Sequence, residues 1–343
     1  MDIWSLAKEK VPGNEEKFSN VEKKMEDKND EEDRARKGTT HLIICGNTQS
    51  GKSTMINKFL DKNEEPKETV ALEYTYARRT RGNNKDVCHI WELGGGADLT
   101  QLLAIPLTKE NIESATLVVV LDLTRPNELW ITMETLIAEG KRHCETAIKL
   151  LNQNEETAMR HRMKMRISMS KEDEKICSWF PIPMLMVGTK YDEFQNLESE
   201  QRRRICTTLR FIAFYYGAHL MFYSCYHEQL VRVGRSVFSH FGFGSSVPKA
   251  KVIDHNKPIY ITSGTDTVES IGSLQMDSTS LLRAAEPIHL WKTAFCDFFQ
   301  QKERKSAEKT NDEQQLFREP VIDSLVAQKE KDLEACTRQL RDH

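Results

Sequence analysis

The sequence predicts an α/β protein built on a doubly wound, mostly parallel sheet with helices on both faces. Three observations carry this. "THLIIC" and "ATLVVVLDL" are unbroken apolar runs rich in β-branched residues, as in parallel strands covered on both sides. "MLMVGTKYD" is a third such run, and segments with helical spacing separate the three. "HLIICGNTQSGKST" joins the first run to a helix through a glycine-bearing turn. Strands alternating with helices in this way argue a doubly wound sheet.

Composition sets the outer limits. The 343 residues are 38% hydrophobic and 29% charged, enough for a sizeable core with polar tails. A formal charge of −3 supplies no global attraction for nucleic acid or an anionic membrane. The longest apolar run, "ATLVVVL", falls far short of the roughly 20 residues of a membrane-spanning helix. The opening "MDIWSLAKEKVPGNEEK" lacks the apolar stretch of a secretory signal. The eight cysteines stand singly, with no CxxC pair and no zinc spacing, which predicts reduced, buried thiols.

Taken in order, residues 1–37 form a charged N-terminal segment, with a short amphipathic "DIWSLAKEKV" ahead of a solvated linker or frayed helix. The globular domain spans 38–244. After "THLIIC" and the turn, "STMINKFLD" begins a helix whose Met55, Ile56, Phe59 and Leu60 share a face. "ETVALEYTYARR" and "DVCHIWEL" alternate as half-exposed strands on either side of the turn "TRGNNKD". "ATLVVVLDL" is a buried strand, followed by a long helix over about 128–151. A basic, methionine-rich insert, 152–181, precedes the strand "MLMVGTKYD"; a helix over 198–216 and the strand "AHLMFYS" follow. Residues 245–300 form an extension that packs on the core. Its "PIHLWKTAFCDFFQ" carries Ile288, Trp291, Phe295 and Phe298 or Phe299 on one helical stripe, either covering the protein's own sheet or meeting a partner helix. Residues 301–343 form a charged, partly helical tail in which Val326, Leu333, Cys336 and Leu340 fall at heptad-like spacing.

The chemistry concentrates at residues 46–53, where "GNTQSGKS" satisfies G-x-x-x-x-G-K-[ST] in full. Gly46 and Gly51 let backbone amides curl around phosphate oxygens, and the following helix adds its positive end. Asn47, Thr48, Gln49, Ser50 and Thr54 complete the cradle. Lys52 would reach the β and γ oxygens, and the Ser53 hydroxyl is the candidate Mg²⁺ ligand. The alternative is a structural turn that keeps the pattern without a ligand.

On a Ras-like sheet four further elements should follow. Thr69 has the spacing of the threonine that senses the γ-phosphate and Mg²⁺, with Thr75 as fallback. The expected Asp-x-x-Gly reads Glu92-Leu-Gly-Gly95, an acid one methylene longer. The next residue, which normally carries the amide that orients the attacking water, is Gly96. Asn-Lys-x-Asp reads Thr189-Lys190-Tyr191-Asp192; Asp192 could accept from a guanine edge and Lys190 cover the ring, or Asp192 could merely cap a helix. In the base loop "FYSCYHE", Ser224 remains and a following lysine is missing. A small GTPase with its glutamine intact turns over at only about 10⁻⁴ per second unaided. Without that side chain intrinsic hydrolysis should be negligible, while binding of GTP or GDP with Mg²⁺ can survive.

Several long segments carry a family resemblance: "ALEYTYARR", "HIWELGGGADL", "VVLDLTRPNELWITMETL", "VGTKYDEFQNLESEQRR", "TLRFIAFYYGAHLMFYS" and "NKPIYITSGTDTVESIGS". They resemble the dynein light intermediate chain family, in its dynein 2 branch, from about Trp4 to beyond Leu290. The resemblance implies a non-catalytic accessory subunit with a Ras-like P-loop core. Such a subunit binds and stabilises the dynein 2 heavy chain, alongside other dynein 2 subunits, for retrograde intraflagellar transport and the building of cilia of normal length. It implies a location in the cytoplasm and cytoskeleton, at the cilium with its axoneme and basal body, and at the centrosome. The family's phosphate loop carries over onto residues 46–53, whereas Cys225 stands where the family can place lysine, which bears on guanine preference. The competing expectation is a GTP-binding switch with slow GTPase activity.

Overall fold

The computed structural model describes residues 38–81, 84–167, 171–247, 251–272 and 287–302, together with 324, 325, 328, 329, 331 and 333. Among the described residues, seven strands form one sheet in the order β2-β3-β1-β4-β5-β6-β7. They are β1 (Thr39–Gly46), β2 (Leu72–Arg81), β3 (Asn84–Leu93), β4 (Ala115–Asp122), β5 (Met184–Thr189), β6 (His219–Phe222) and β7 (Tyr260–Ile261). The five central strands run parallel, and β2 and β7 close the edges antiparallel to β3 and β6. The protein has the Ras-like P-loop architecture.

Strand alternation sorts the core into two layers. Leu42 and Ile44 of β1, with Val118, Val120, Leu185 and Val187, pack against α1 (Lys52–Phe59), through Met55 and Ile56. Ile43 and Cys45, with Leu117, Val119, Met184 and Met186, face α2 (Pro126–Ile148) on the other side. With a residue period of two, each central strand reads as a continuous apolar run because both of its faces are covered.

Helix limits follow local chemistry. Pro126 opens α2 at a position where its missing N–H costs nothing, so the helix starts before residue 128 and stops at Ile148, short of Leu151. After α3 (Gln153–Arg166), α4 (Lys171–Glu174) and α5 (Tyr191–Phe194), α6 (Ser199–Tyr216) ends on Gly217, whose φ of 65° closes the last turn. The insert begins with a capping box in which Asn152 and Glu155 satisfy each other's backbone donors. Its methionines divide: Met159 is buried, Met163 half-buried and Met165 exposed, while Met169 lies outside the described residues. Arg166 is no solvated cation; it donates to the carbonyls of Phe180 and Ile182 at 3.3 Å each, and burial pushes its pKa down to about 10.

A helix for which the sequence reading assigned no element, α7 (Glu228–Phe243), covers β1 and β3 beside α1. Beyond it come the two-residue β7, α8 (Val268–Ile271) and α9 (Pro287–Phe298). Arg210 of α6 forks onto Asp266 with two bonds of 2.9 Å, both side chains buried, and fastens the stretch before α8. The aromatic stripe of α9 lies on α2 and α6 rather than on the sheet: Trp291 stacks on Phe211 at 4.4 Å and Phe295 meets Trp130 at 5.7 Å. Trp291, Phe295 and Phe299 are buried, whereas Phe298 is 41% exposed.

Contacts divide the chain into one unit over Met1–Gln301 and a second over Lys302–His343. In the second, Ser324, Leu325, Gln328, Lys329, Lys331 and Leu333 are helical, and Leu325 and Leu333 are exposed. Val326, Cys336 and Leu340 of the heptad-like pattern lie outside the described residues, as does the segment 1–37. No described helix is long and apolar enough to cross a membrane.

Candidate functional site

The loop between β1 and α1 is shaped by its own backbone. Gln49 and Gly51 take φ of 59° and 86°, and Gly46 approaches β4 so closely that a Cβ would sit 2.3 Å from the Val120 carbonyl. Lys52 folds back over the loop, donating from Nζ to the carbonyls of Gly46 (3.0 Å) and Asn47 (2.8 Å). Burial lowers its pKa, while Glu92 and Cys45 oppose the shift.

A pocket of about 290 Å³ opens on this loop. Thr48, Gln49, Gly51, Lys52, Ser53, Thr54, Thr69, Glu92 and Gly95 all line it. Thr75, the fallback, instead borders a neighbouring pocket of about 250 Å³. Ser53 donates its hydroxyl to Glu92 Oε1 at 2.7 Å, so the longer acid reaches the serine directly. Burial raises the Glu92 pKa, against the pull of Ser53, Lys52 and Thr69. Gly94 lets the chain before β2 cross close by: a Cβ there would lie 2.2 Å from the Thr69 carbonyl.

Among the described residues, the buried Ser50 Oγ has no hydrogen-bond partner, and Thr69 Oγ1, though close enough to Glu92 to draw its pKa down, makes no bond of ordinary geometry. Such an orphan is costly unless a ligand or water satisfies it. The donor set fits a phosphate held by amides and Lys52 beside a hard cation; Ser53, Glu92 and Thr69 offer the oxygens such a cation takes. Among the described residues no cluster of three or more His, Cys, Asp and Glu could hold a metal.

Lys190 and Asp192 do not line the phosphate pocket. They form a second cluster at the carboxyl end of β5. Lys190, at φ 59°, pairs with Asp122 Oδ2 at 2.6 Å, and Asp192 Oδ1 accepts from Ser224 at 2.5 Å. Thr189 ties the two clusters together by donating its hydroxyl to the Ser50 carbonyl at 2.7 Å. Asp122 was missed by sequence reasoning. Its signal was its place as the acid ending a buried strand, where it also anchors Thr124 at 2.6 Å.

The dynein light intermediate chain (DLIC) family model matches residues 34–169, which hold the phosphate loop, Thr69 and Gly95. The cytoplasmic dynein 2 light intermediate chain 1 of Bos taurus is 38% identical over 341 residues, covering 97% of this chain and 94% of that protein. The chain belongs to the dynein light intermediate chain family. Its Homo sapiens relative of the same description is also 38% identical, with the same coverage. A crystal structure of the dynein light intermediate chain's conserved domain superposes with a TM-score of 0.52, over 82% of this chain and 99% of that one. At 17% identity this likeness speaks to the fold alone.

Proposed function

We propose that this light intermediate chain is a non-catalytic accessory subunit of the cytoplasmic dynein 2 motor. In this reading it binds and stabilises the heavy chain, alongside other dynein 2 subunits, and serves retrograde intraflagellar transport, cilium assembly and control of cilium length. It works in the cytoplasm and at the cilium. The observation that carries the reading is the identity to dynein 2 light intermediate chains along nearly the whole chain. The test is co-purification of the tagged protein from ciliated cells. Recovery of the dynein 2 heavy chain is expected, and recovery of no dynein heavy chain overturns the reading.

Within that role the P-loop holds GTP or GDP with Mg²⁺ as a structural ligand. Residues 46–54 cradle the phosphates, Lys52 neutralises them, Ser53 and Thr69 serve the metal, Gly95 borders the γ position, and Lys190 with Asp192 faces the base. What supports binding is the complete loop with its unsatisfied Ser50 hydroxyl. What argues against efficient hydrolysis is Gly96, which offers no side chain to orient water. The intact loop also favours a second reading, a slow GTPase switch. A single-turnover assay with labelled GTP separates the two, since phosphate release above the aqueous background belongs only to the switch.

A further inference from the structure

Helix α9 is fastened along the first half of α2. Lys292 pairs with Glu134 at 2.7 Å, Phe295 meets Trp130 at 5.7 Å, and Gln301, just past the helix, reaches the first turn of α2 itself. Its side-chain amide straddles that turn: Oε1 accepts from the Trp130 amide at 3.1 Å, and Nε2 donates to the Pro126 carbonyl at 3.0 Å. Nε2 also donates to the Phe299 carbonyl at 2.7 Å, which fixes the side chain on the end of its own helix. Phe299 is buried and packs on Phe295, so that end is anchored rather than frayed. No side chain of its own N-terminus holds the turn in return, because Arg125, at the capping position, makes no capping bond. Gln301 supplies the hold from outside.

The same turn faces the phosphate loop. Arg125 donates to Gln49 Oε1 at 3.5 Å, and Glu128 Oε2 accepts from Asn47 Nδ2 at 3.5 Å. Arg125 also approaches Glu128 at 3.8 Å and Asp122 at 3.6 Å, and Asp122 holds Lys190 at 2.6 Å. Both contacts to the loop stand at the outer limit of hydrogen-bond length, where strength falls steeply with separation. A small shift of the first turn of α2 therefore decides whether they are made. Asn47 and Gln49 belong to the cradle, and Gln49 takes a φ of 59°, so it needs neighbours to hold it there. The end of α9, the first turn of α2 and the phosphate loop thus form one chain of contacts, with the Gln301 amide at its outer end.

We propose that Gln301 is a positioning residue for the phosphate loop: by clamping the first turn of α2 it couples the seating of α9 to the order of residues 46–54. By linkage, nucleotide loading and the seating of α9 then reinforce each other, a consequence that rests on the nucleotide-binding reading above. The test is hydrogen–deuterium exchange of the full chain without nucleotide, read on peptides covering 46–54 and 287–300. Gln301→Ala should speed exchange of the loop about fivefold, the effect of losing one or two neutral hydrogen bonds. Lys292→Met breaks the Glu134 contact and leaves the first turn alone; it should speed exchange over α9 without changing the loop. In an Arg125→Met/Glu128→Met background, Gln301→Ala should have no further effect on the loop, because the side chains that carry the coupling are gone. Loop exchange that ignores Gln301→Ala, or that responds equally in that background, would overturn the proposal. GDP with Mg²⁺ added to the parent should slow exchange over 287–300 about fivefold, since the coupling is reciprocal. Bound GDP without that slowing would also overturn it. A parent that takes up no GDP would defeat the nucleotide reading and this consequence, while the comparison without nucleotide still decides the clamp.

Discussion

Gly96 has a φ of 63°, and a Cβ built on it would sit 3.2 Å from the Asn47 side-chain oxygen. Restoring the missing amide is therefore not a matter of one substitution. Gly96→Gln would strain the backbone and crowd the loop, and GTP turnover should stay at background in a phosphate-release assay. Lys52→Ala removes two charge-assisted bonds to the loop and the cation that faces the phosphates. With about 1.5–3 kcal/mol for a charge-assisted bond from Lys52 to a phosphate oxygen, nucleotide affinity measured by calorimetry should fall at least about tenfold. At this scale the sequence was legible where spacing is rigid, as from Gly46 to Ser53. It was silent on the Thr189 bond to Ser50 and on Asp122 holding Lys190, because these join residues about 70 or more positions apart.

Elements were legible where one pattern dominated. The central strands are covered on both faces and read as apolar runs; β7 is two residues long and offers no pattern. Helix α7 escaped because Gly234 and Gly242 depress helix propensity. Both glycines are there for contact: a Cβ at Gly234 would lie 2.9 Å from the Tyr223 ring, and one at Gly242 would lie 2.9 Å from Cys88 Sγ. The spacing of Val231, Gly234, Val237, Phe238 and Phe241 was the signal available. The α9 stripe could be seen in sequence, but not that helices α2 and α6 receive it. Because Trp291 is 5% exposed and stacked on Phe211, Trp291→Ala should cost about 3–5 kcal/mol in urea unfolding. Breaking the other fastening, by Arg210→Met, removes both buried bonds to Asp266 and leaves that carboxylate with Lys251, 3.2 Å away, as its remaining cation. A loss of about 3 kcal/mol is expected in the same measurement.

For the molecule as a whole, buried histidines tie stability to pH. Burial and the neighbouring His89 push the His41 pKa down to about 4, and burial, His240 and Arg166 bring His219 to about 3. The unfolded chain binds these protons near pH 6.5 and the native chain does not. Stability is therefore full above that pH and falls as pH drops toward 4, by on the order of 2 kcal/mol for His41 alone at pH 4.5. His41→Gln should flatten part of that slope in urea midpoints compared at pH 7 and 4.5. The larger claim is that this fold keeps a phosphate cradle as a scaffold rather than as a timer. Its most direct test loads the purified protein with labelled GTP and Mg²⁺ and follows bound nucleotide and free phosphate together. The account predicts retained nucleotide, with phosphate appearing no faster than from GTP in buffer alone, far below the roughly 10⁻⁴ per second of an unaided small GTPase. Rapid, magnesium-dependent phosphate release by the isolated chain would contradict it.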